Sequence, residues 1–366
     1  MIIFRYLTKE IYSISVTVTL VLLFVFLCNI MIHLLGMVTD GKIAASILFQ
    51  LILLRLPELL GLLLPLGLYL GVLLAYGRLY ADSEMTVLFA TGLSVKRFVG
   101  MTLLIALGVA LISALLMFWV NPAMTLRRDL LIQKEGQANR VATLLPGKFH
   151  ELKHSVVYVE KISDDKKKIE NLFIATPPME KSGVLMEKGN HWLLVTAKEG
   201  YQHVDEKTGV HYLVAKNGYR YNGMPGKQAF EIVKFKEYGV HPKIASGAPG
   251  HIDESAMSTF SLFKAIAKGS SNAMAEFQWR LSIPLSALIL AMLAIPLSKI
   301  NPRQGRFSQL VPAILINIVY ANLLFIGRAW VESGTVSPWV GMWWIHGLAL
   351  ILAYTLLRRQ FGRWAT

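Results

Sequence analysis

The sequence predicts an α-helical membrane protein with six transmembrane helices and an inserted all-β domain of sandwich or jelly-roll type. Three observations predict it. Of 366 residues, 54% are hydrophobic and only 16% charged, and the mean hydropathy is +0.49, too apolar for an ordinary soluble domain. Apolar runs recur at the length that ~30 Å of hydrocarbon demands, about 20 helical residues at ~1.5 Å each. Between the third and fourth runs the chain changes character, to short segments rich in Val, Tyr, Phe and Ile separated by turn residues.

The first span, Ile11–Gly36, follows Arg5 and Lys9 as a signal peptide would. Its apolar part is far longer than a signal h-region and no small-residue cleavage pattern follows, so it reads as an uncleaved span. It holds the single cysteine, Cys28, which leaves no intramolecular disulfide to form. The second span, Ile47–Tyr76, is long enough to tilt and carries Arg55, Pro57, Glu58 and Pro65. Gly67 and Gly71 within it have the spacing that lets two helices approach closely. The third span is Val99–Val120.

Residues 121–275 form the predicted β domain. Its strands are "SVVYVEKI", "NLFIAT", "HWLLVTAKEG", "VHYLVAKNGYRY" and "AFEIVKFKEY", with "DEKTG", Asp205 to Gly209, as a hairpin turn. Helical linkers near "LRRDLLIQKEGQ" and "FSLFKAIAKGS" join it to the bundle. The last three spans are Leu281–Ser298, Leu310–Gly327 and Trp339–Leu357. The partition is therefore 1–120, 121–275 and 276–366. Glu276 and Arg280 flank Trp279 where the fourth span meets the interface, a pattern that reads first as an anchor.

Cations in short loops are retained in the cytoplasm. Arg5, Lys9, Arg78, Lys96, Arg97, Lys299, Arg303, Arg306, Arg358, Arg359 and Arg363 fall on one side, and only Lys42 and Arg328 on the other. This places both termini in the cytoplasm and the β domain outside. Much of the +14 net charge is then membrane topology and headgroup contact, with little reason to expect nucleic acid.

"YADSEMTVLFATGLSVKRF", Tyr80 to Phe98, is a short half-polar helix set between two spans on the cytoplasmic side. Asp82 or Ser83 can cap it, Glu84 lies in the first turn where the macrodipole favours a carboxylate, and Gly92 can end it in the left-handed conformation. Met85, Leu88 and Phe89 share one face. Such a helix suits a groove on a soluble partner. The competing reading is a helix resting on headgroups, which the acidic first turn disfavours on an anionic surface. No phosphate-binding loop accompanies it: "DGKIA", "PGKFH" and "PGKQA" lack the upstream glycine and the following hydroxyl. A six-span chain with a docking helix and no nucleotide site suggests a permease served by a separate ATPase.

The segments "MIIFRYLTKE", "LYADSEMTVLFATGLS", "AEFQWRLSIPLS" and "IPLSKINPRQGR" resemble the LptF/LptG family of lipopolysaccharide export permeases, and "NPRQGR" favours the LptF branch. The resemblance covers all the membrane segments. It implies six spans with a periplasmic β-jellyroll in the inner membrane of a Gram-negative bacterium. It also implies pairing with LptG, an LptB ATPase dimer in the cytoplasm that uses ATP and Mg, and LptC leading to a periplasmic bridge. The chain itself would be no enzyme and would hold no cofactor. The family's coupling helix falls on Asp82 to Thr91, with Asp82, Ser83, Glu84, Met85, Leu88 and Phe89 at the docking surface and Glu84 as its acid.

A cargo with an anionic phosphorylated head and acyl chains calls for an apolar cavity with cations at the rim. His33, Lys42, Arg55 and Arg328 are the candidates. Arg55 with Glu58, and Arg328 with Glu332, have helix spacings at which simple ion pairing fits equally well. Arg303 and Arg306 fit either ATPase contact or topology alone. The rival class is a zinc metalloprotease, because "HELKH", His150 to His154, matches H-E-x-x-H. That motif needs a helix for both His to reach one metal. Pro-Gly before it and a β-branched run after it argue for a strand, which would separate the two by roughly 13 Å.

Overall fold

The computed structural model describes residues 2–39, 43–138, 146–152, 155–163, 168–177, 192–204, 211–224, 230–240, 253–299 and 310–362. The predicted hairpin turn at Asp205–Gly209 lies outside the described residues. Among them the helices are α1 (Ile2–Thr39), α2 (Leu48–Ala81), α3 (Glu84–Ala90), α4 (Val95–Leu115), α5 (Asn121–Ala138), α6 (Thr259–Ala267), α7 (Ser271–Leu297), α8 (Leu310–Glu332) and α9 (Trp343–Phe361). Five helical segments are long and apolar enough to cross a bilayer: Ile2–Thr39, Ala45–Ala81, Val95–Gln133, Ser271–Leu297 and Leu310–Glu332. The sixth predicted span forms α9, whose last turn carries Arg358 and Arg359 and which falls outside that group. The third predicted span does not stop at Val120. A π turn over Leu116–Val120 passes directly into α5, so the predicted linker continues the span's own helix, and the π turn accommodates the adjacent Pro122.

The chain divides into two units. One comprises Met1–Ile32, Gln50–Arg128 and Ile252–Thr366, the other His33–Phe49 and Asp129–His251.

In the first unit α7 is central, packed against α4, α6, α8 and α9. Its buried positions include Ala273, Ala275, Ser282, Ser286, Ala287, Ala291 and Ala294, small residues that let neighbouring helices approach in a solvent offering no hydrophobic drive between them. Gly67 and Gly71 of α2 do the same toward α1: a Cβ at either would collide with Thr19 or Ser15. Three buried or half-buried tyrosines find partners on other helices, which backbone and side-chain polar groups in a bilayer favour. Tyr12 donates to Ile105 O at 2.9 Å, Tyr69 to Ala313 O at 2.8 Å, and Tyr76 Oη meets Thr102 Oγ1 at 2.6 Å. Helix α1 buries only Leu7, Ile11, Ser15 and Thr19. Leu20, Val21, Phe24 and Val25 face outward.

The second unit holds one antiparallel sheet of β1 (Phe149–Leu152), β2 (Ser155–Ile162), β3 (Lys168–Thr176), β4 (Trp192–Val204), β5 (His211–Gly223) and β6 (Phe230–Val240), in consecutive order. Every predicted strand is present. Val204 pairs with His211, flanking the predicted turn. The core gathers Val157, Val159, Ile169, Leu172, Ile174, Val195, Ala197 and Ala215.

The inward residues do not alternate regularly. One inward row is Val159, Leu172, Ala197, Gly218 and Phe235, and the next is Ile162, Ile169, Gly200, Ala215 and Tyr238. Each strand from β2 to β6 thus advances three residues between inward positions, where a regular pleat advances two. Within the skipped row Asn171 and Asn217 hold left-handed backbones, φ 52° and 53°, which Asn tolerates better than most residues. Asn171 Nδ2 donates to Glu160 Oε2 at 2.5 Å. Beside that row runs an outward line of charge, Lys161, Glu170, Glu199, Lys216 and Glu237. Lys216 meets Glu237 at 3.1 Å, and this bond holds its ammonium above the ordinary lysine pKa.

Candidate functional site

Helix α3 begins directly after α2, through a turn at Asp82 and Ser83. Ser83 occupies the N-cap with φ 62° and makes no side-chain cap bond, so the predicted cap is not made by Ser83. The positive φ of Ser83 turns the chain sharply out of α2. The other end is as expected: Gly92 has φ 93°, and Gly92 N and Leu93 N bond back to Phe89 O and Leu88 O. Ser94 then caps α4, accepting from Arg97 N at 3.4 Å.

Met85, Leu88 and Phe89 do share a face, but it turns inward. Met85 is fully buried, and Leu88 and Phe89 pack on the helical core. Phe89 meets Phe98 of α4 edge-on at 5.5 Å and Phe361 of α9 at 6.0 Å, while Phe98 lies 4.9 Å from Tyr76 of α2. The apolar face expected to enter a partner's groove is thus spent on the chain's own bundle. What α3 exposes is the opposite side, with Asp82, Ser83, Thr86, Val87 and Ala90. Glu84 stays partly exposed at the edge, accepting from Tyr6 Oη of α1 at 2.7 Å. One turn along, Arg78 of α2 pairs with Glu10 of α1 at 3.0 Å. Tyr6 carries no sequence signal linking it to Glu84; only the packing of α1 on α2 brings them together.

The candidate cations scatter. Lys42, Arg303 and Arg306 lie outside the described residues. His33 is exposed on α1. Arg55 pairs with Glu58 at 3.4 Å, and Glu58 also takes Arg128 at 3.6 Å. Arg328 lies 5.2 Å over the Trp279 ring and pairs with Glu332 at 2.8 Å and Glu276 at 3.0 Å.

Sequence reading missed the network behind Arg328. Glu276 and Arg280 are not interfacial anchors: both side chains are almost fully buried and bonded at 2.8 Å. Arg280 Nη2 also donates to Glu254 O and Ser255 O at 3.2 and 3.1 Å. Two Arg and two Glu therefore form one balanced cluster that ties the turn at Glu254–Ala256 to α7 and α8. A second polar cluster joins α7, α8 and α9, where His346 Nδ1 meets Tyr320 Oη at 2.8 Å and His346 Nε2 meets Ser282 Oγ at 2.9 Å.

In "HELKH", His150, Glu151 and Leu152 lie in β1, where His150 pairs with Val157; Lys153 and His154 lie outside the described residues. The strand denies the motif the helical turn it needs. Among the described residues no three His, Cys, Asp or Glu gather as a metal would require, and the protease reading is not favoured.

Residues 5–359 match the family described as lipopolysaccharide export system permease LptF/LptG. Lipopolysaccharide export system permease protein LptF from Escherichia coli K12 and from Shigella flexneri are each 28% identical over 361 residues. Each match covers 97% of this chain and 94% of the relative.

Proposed function

The chain belongs to the lipopolysaccharide export system permease LptF/LptG family and is a permease of that system, not itself an enzyme; on that premise we propose that α3 is the coupling helix through which a separate ATPase drives export. The observation that carries this is the position of α3 between α2 and α4, with Glu84 at its partly exposed edge bonded to α1 and Phe89 of its inner face packed on α4 and α9.

The ATPase is an LptB dimer using ATP and Mg, and its groove receives the outward side of α3, Asp82, Ser83, Thr86, Val87 and Ala90, with Glu84 supplying the docking charge. Both termini lie with it in the cytoplasm. Closure of the dimer displaces α3. Because Phe89 is packed against Phe98 and Phe361, and Glu84 is bonded to Tyr6, the displacement reaches α1 and α9 as well as α2 and α4. An LptG-type subunit completes the permease, and lipid extracted from the inner membrane is squeezed outward between the two.

In the periplasm the sheet acts as a jelly roll that passes lipid on, with LptC, to the bridge. Its apolar interior around Val159 and Val195 suits acyl chains, and β1 and β6, the outer strands of the sheet among the described residues, are the places for extension by strand addition. Of the candidate cations, His33, Lys42 and Arg55 are, each by itself, the ones left for cargo phosphate. Arg328 belongs to a cluster whose charges already balance, and its role is structural.

Replacing Glu84 by Ala should abolish export and ATPase recovery with the chain, while membrane insertion persists. Normal export with normal ATPase recovery in Glu84→Ala would remove α3 from the coupling role.

A further inference from the structure

Helix α6 starts at Ser258, whose Oγ accepts from Ser261 N at 3.2 Å, and ends before Gly269 at φ 85°. One side, Leu262 and Ile266, is turned into the helical unit. The other side presents Phe260, 71% exposed, and Phe263, 50% exposed, together with Lys264, Ala267 and Lys268. Lys264 Nζ stands 4.7 Å over the Phe260 ring.

The level of α6 relative to the bilayer is set at both ends. Thr259 Oγ1 donates to Phe118 O at 2.7 Å, in the π turn that closes the apolar part of the third span. Phe263 packs on Phe277 at 5.0 Å, at the head of α7, and Phe118 lies 6.3 Å from both Phe277 and Trp119. Trp119 is itself 67% exposed. An exposed Trp at the exit of a span marks the depth of the headgroups.

We propose that α6 is a membrane-surface foot that binds anionic phospholipid of the surrounding bilayer, Phe260 and Phe263 entering the acyl boundary and Lys264 and Lys268 meeting headgroup phosphates. Two lysines on the same face as two exposed rings fit that boundary, where long cationic side chains reach up to phosphate while their stems stay in apolar surroundings. Nothing acidic lies on the face to favour a basic partner. The inference stands on the membrane reading of α4 and α7, independently of the cargo and of the coupling helix.

The test uses the full chain, in the complex recovered from membranes and reconstituted into vesicles of phosphatidylcholine with or without phosphatidylglycerol. In a Cys28→Ser background, a nitroxide at Phe260→Cys or Ala267→Cys should collide more with membrane-dissolved oxygen than with a water-soluble nickel chelate. Photoactivatable phosphatidylglycerol should label α6. The labelling should fall about fivefold or more in Lys264→Gln/Lys268→Gln, ~fivefold being the factor one surface lysine contributes, while labelling by phosphatidylcholine is unchanged. Nickel access exceeding oxygen access would put the face in water, and low access to both would mean protein covers it. Either result, or phosphatidylglycerol labelling indifferent to the lysines, overturns the proposal.

Discussion

Replacing Arg280 by Met removes one partner from a fully buried ion pair while keeping most of the side chain's volume. The Glu276 carboxylate, bonded to Arg280 at 2.8 Å, is left in the interior, a loss of roughly 3–5 kcal/mol for a buried pair broken from one side. The carbonyls of Glu254 and Ser255 lose their donor as well, at about 1–3 kcal/mol for each group left unsatisfied. Arg328, 3.0 Å from the other Glu276 oxygen, holds part of the charge and lowers the sum, so we expect a net loss of ~3–5 kcal/mol. The assay is the lifetime of folded protein in detergent at fixed temperature, the appropriate measure where unfolding is irreversible. With the cluster open in the unfolding transition state, the lifetime should shorten by about two orders of magnitude or more. Adding Glu276→Leu removes the stranded charge, and the double variant should recover most of the loss. A single variant as long-lived as the parent, or a double variant no better than the single, would refute the reasoning.

Three further outcomes are expected. Tyr6→Phe, which deletes only the hydroxyl bonded to Glu84, should weaken ATPase binding by about tenfold, the scale of one hydrogen bond to a charged group; unchanged affinity in a binding titration would show that this bond does not position the docking charge. Gly71→Leu should cost ~1–3 kcal/mol by driving α2 off Ser15, read as a lower folded yield in size-exclusion chromatography; unchanged yield would show that the α1–α2 contact is dispensable. Photocrosslinkers at Val159 and Val195 should capture lipopolysaccharide or LptC during ATP turnover, and capture of neither would make the sheet a scaffold.

Local pattern carries the strands and most of the spans. "SVVYVEKI" coincides with β2 because its clustered β-branched and aromatic residues favour a strand over a helix. The third span shows where hydropathy fails: apolar character ends at Val120, but the backbone has no reason to break there and runs on to Ala138. Helical spacing puts Met85, Leu88 and Phe89 on one face; which body that face meets depends on Phe361, at the far end of the chain. Glu276 and Arg280 are visibly four apart, but their burial depends on α8 and on the turn at Glu254–Ala256, neither adjacent in sequence. Tyr6 is wholly a product of the tertiary fold.

The three-residue advance that crosses β2 to β6 also governs how this sheet can change in length. In a regular strand, adding or losing one residue sends every later side chain to the opposite face. Here, losing one residue at the skipped row would restore ordinary alternation in that strand while its neighbours kept the longer step, breaking the alignment of Leu172 with Ala197 or of Gly200 with Ala215. Insertions and deletions among diverged relatives should therefore be absent from single strands near Asn171 and Asn217, and occur, if at all, in every strand together. The longer step is inherited as one character spread over five strands.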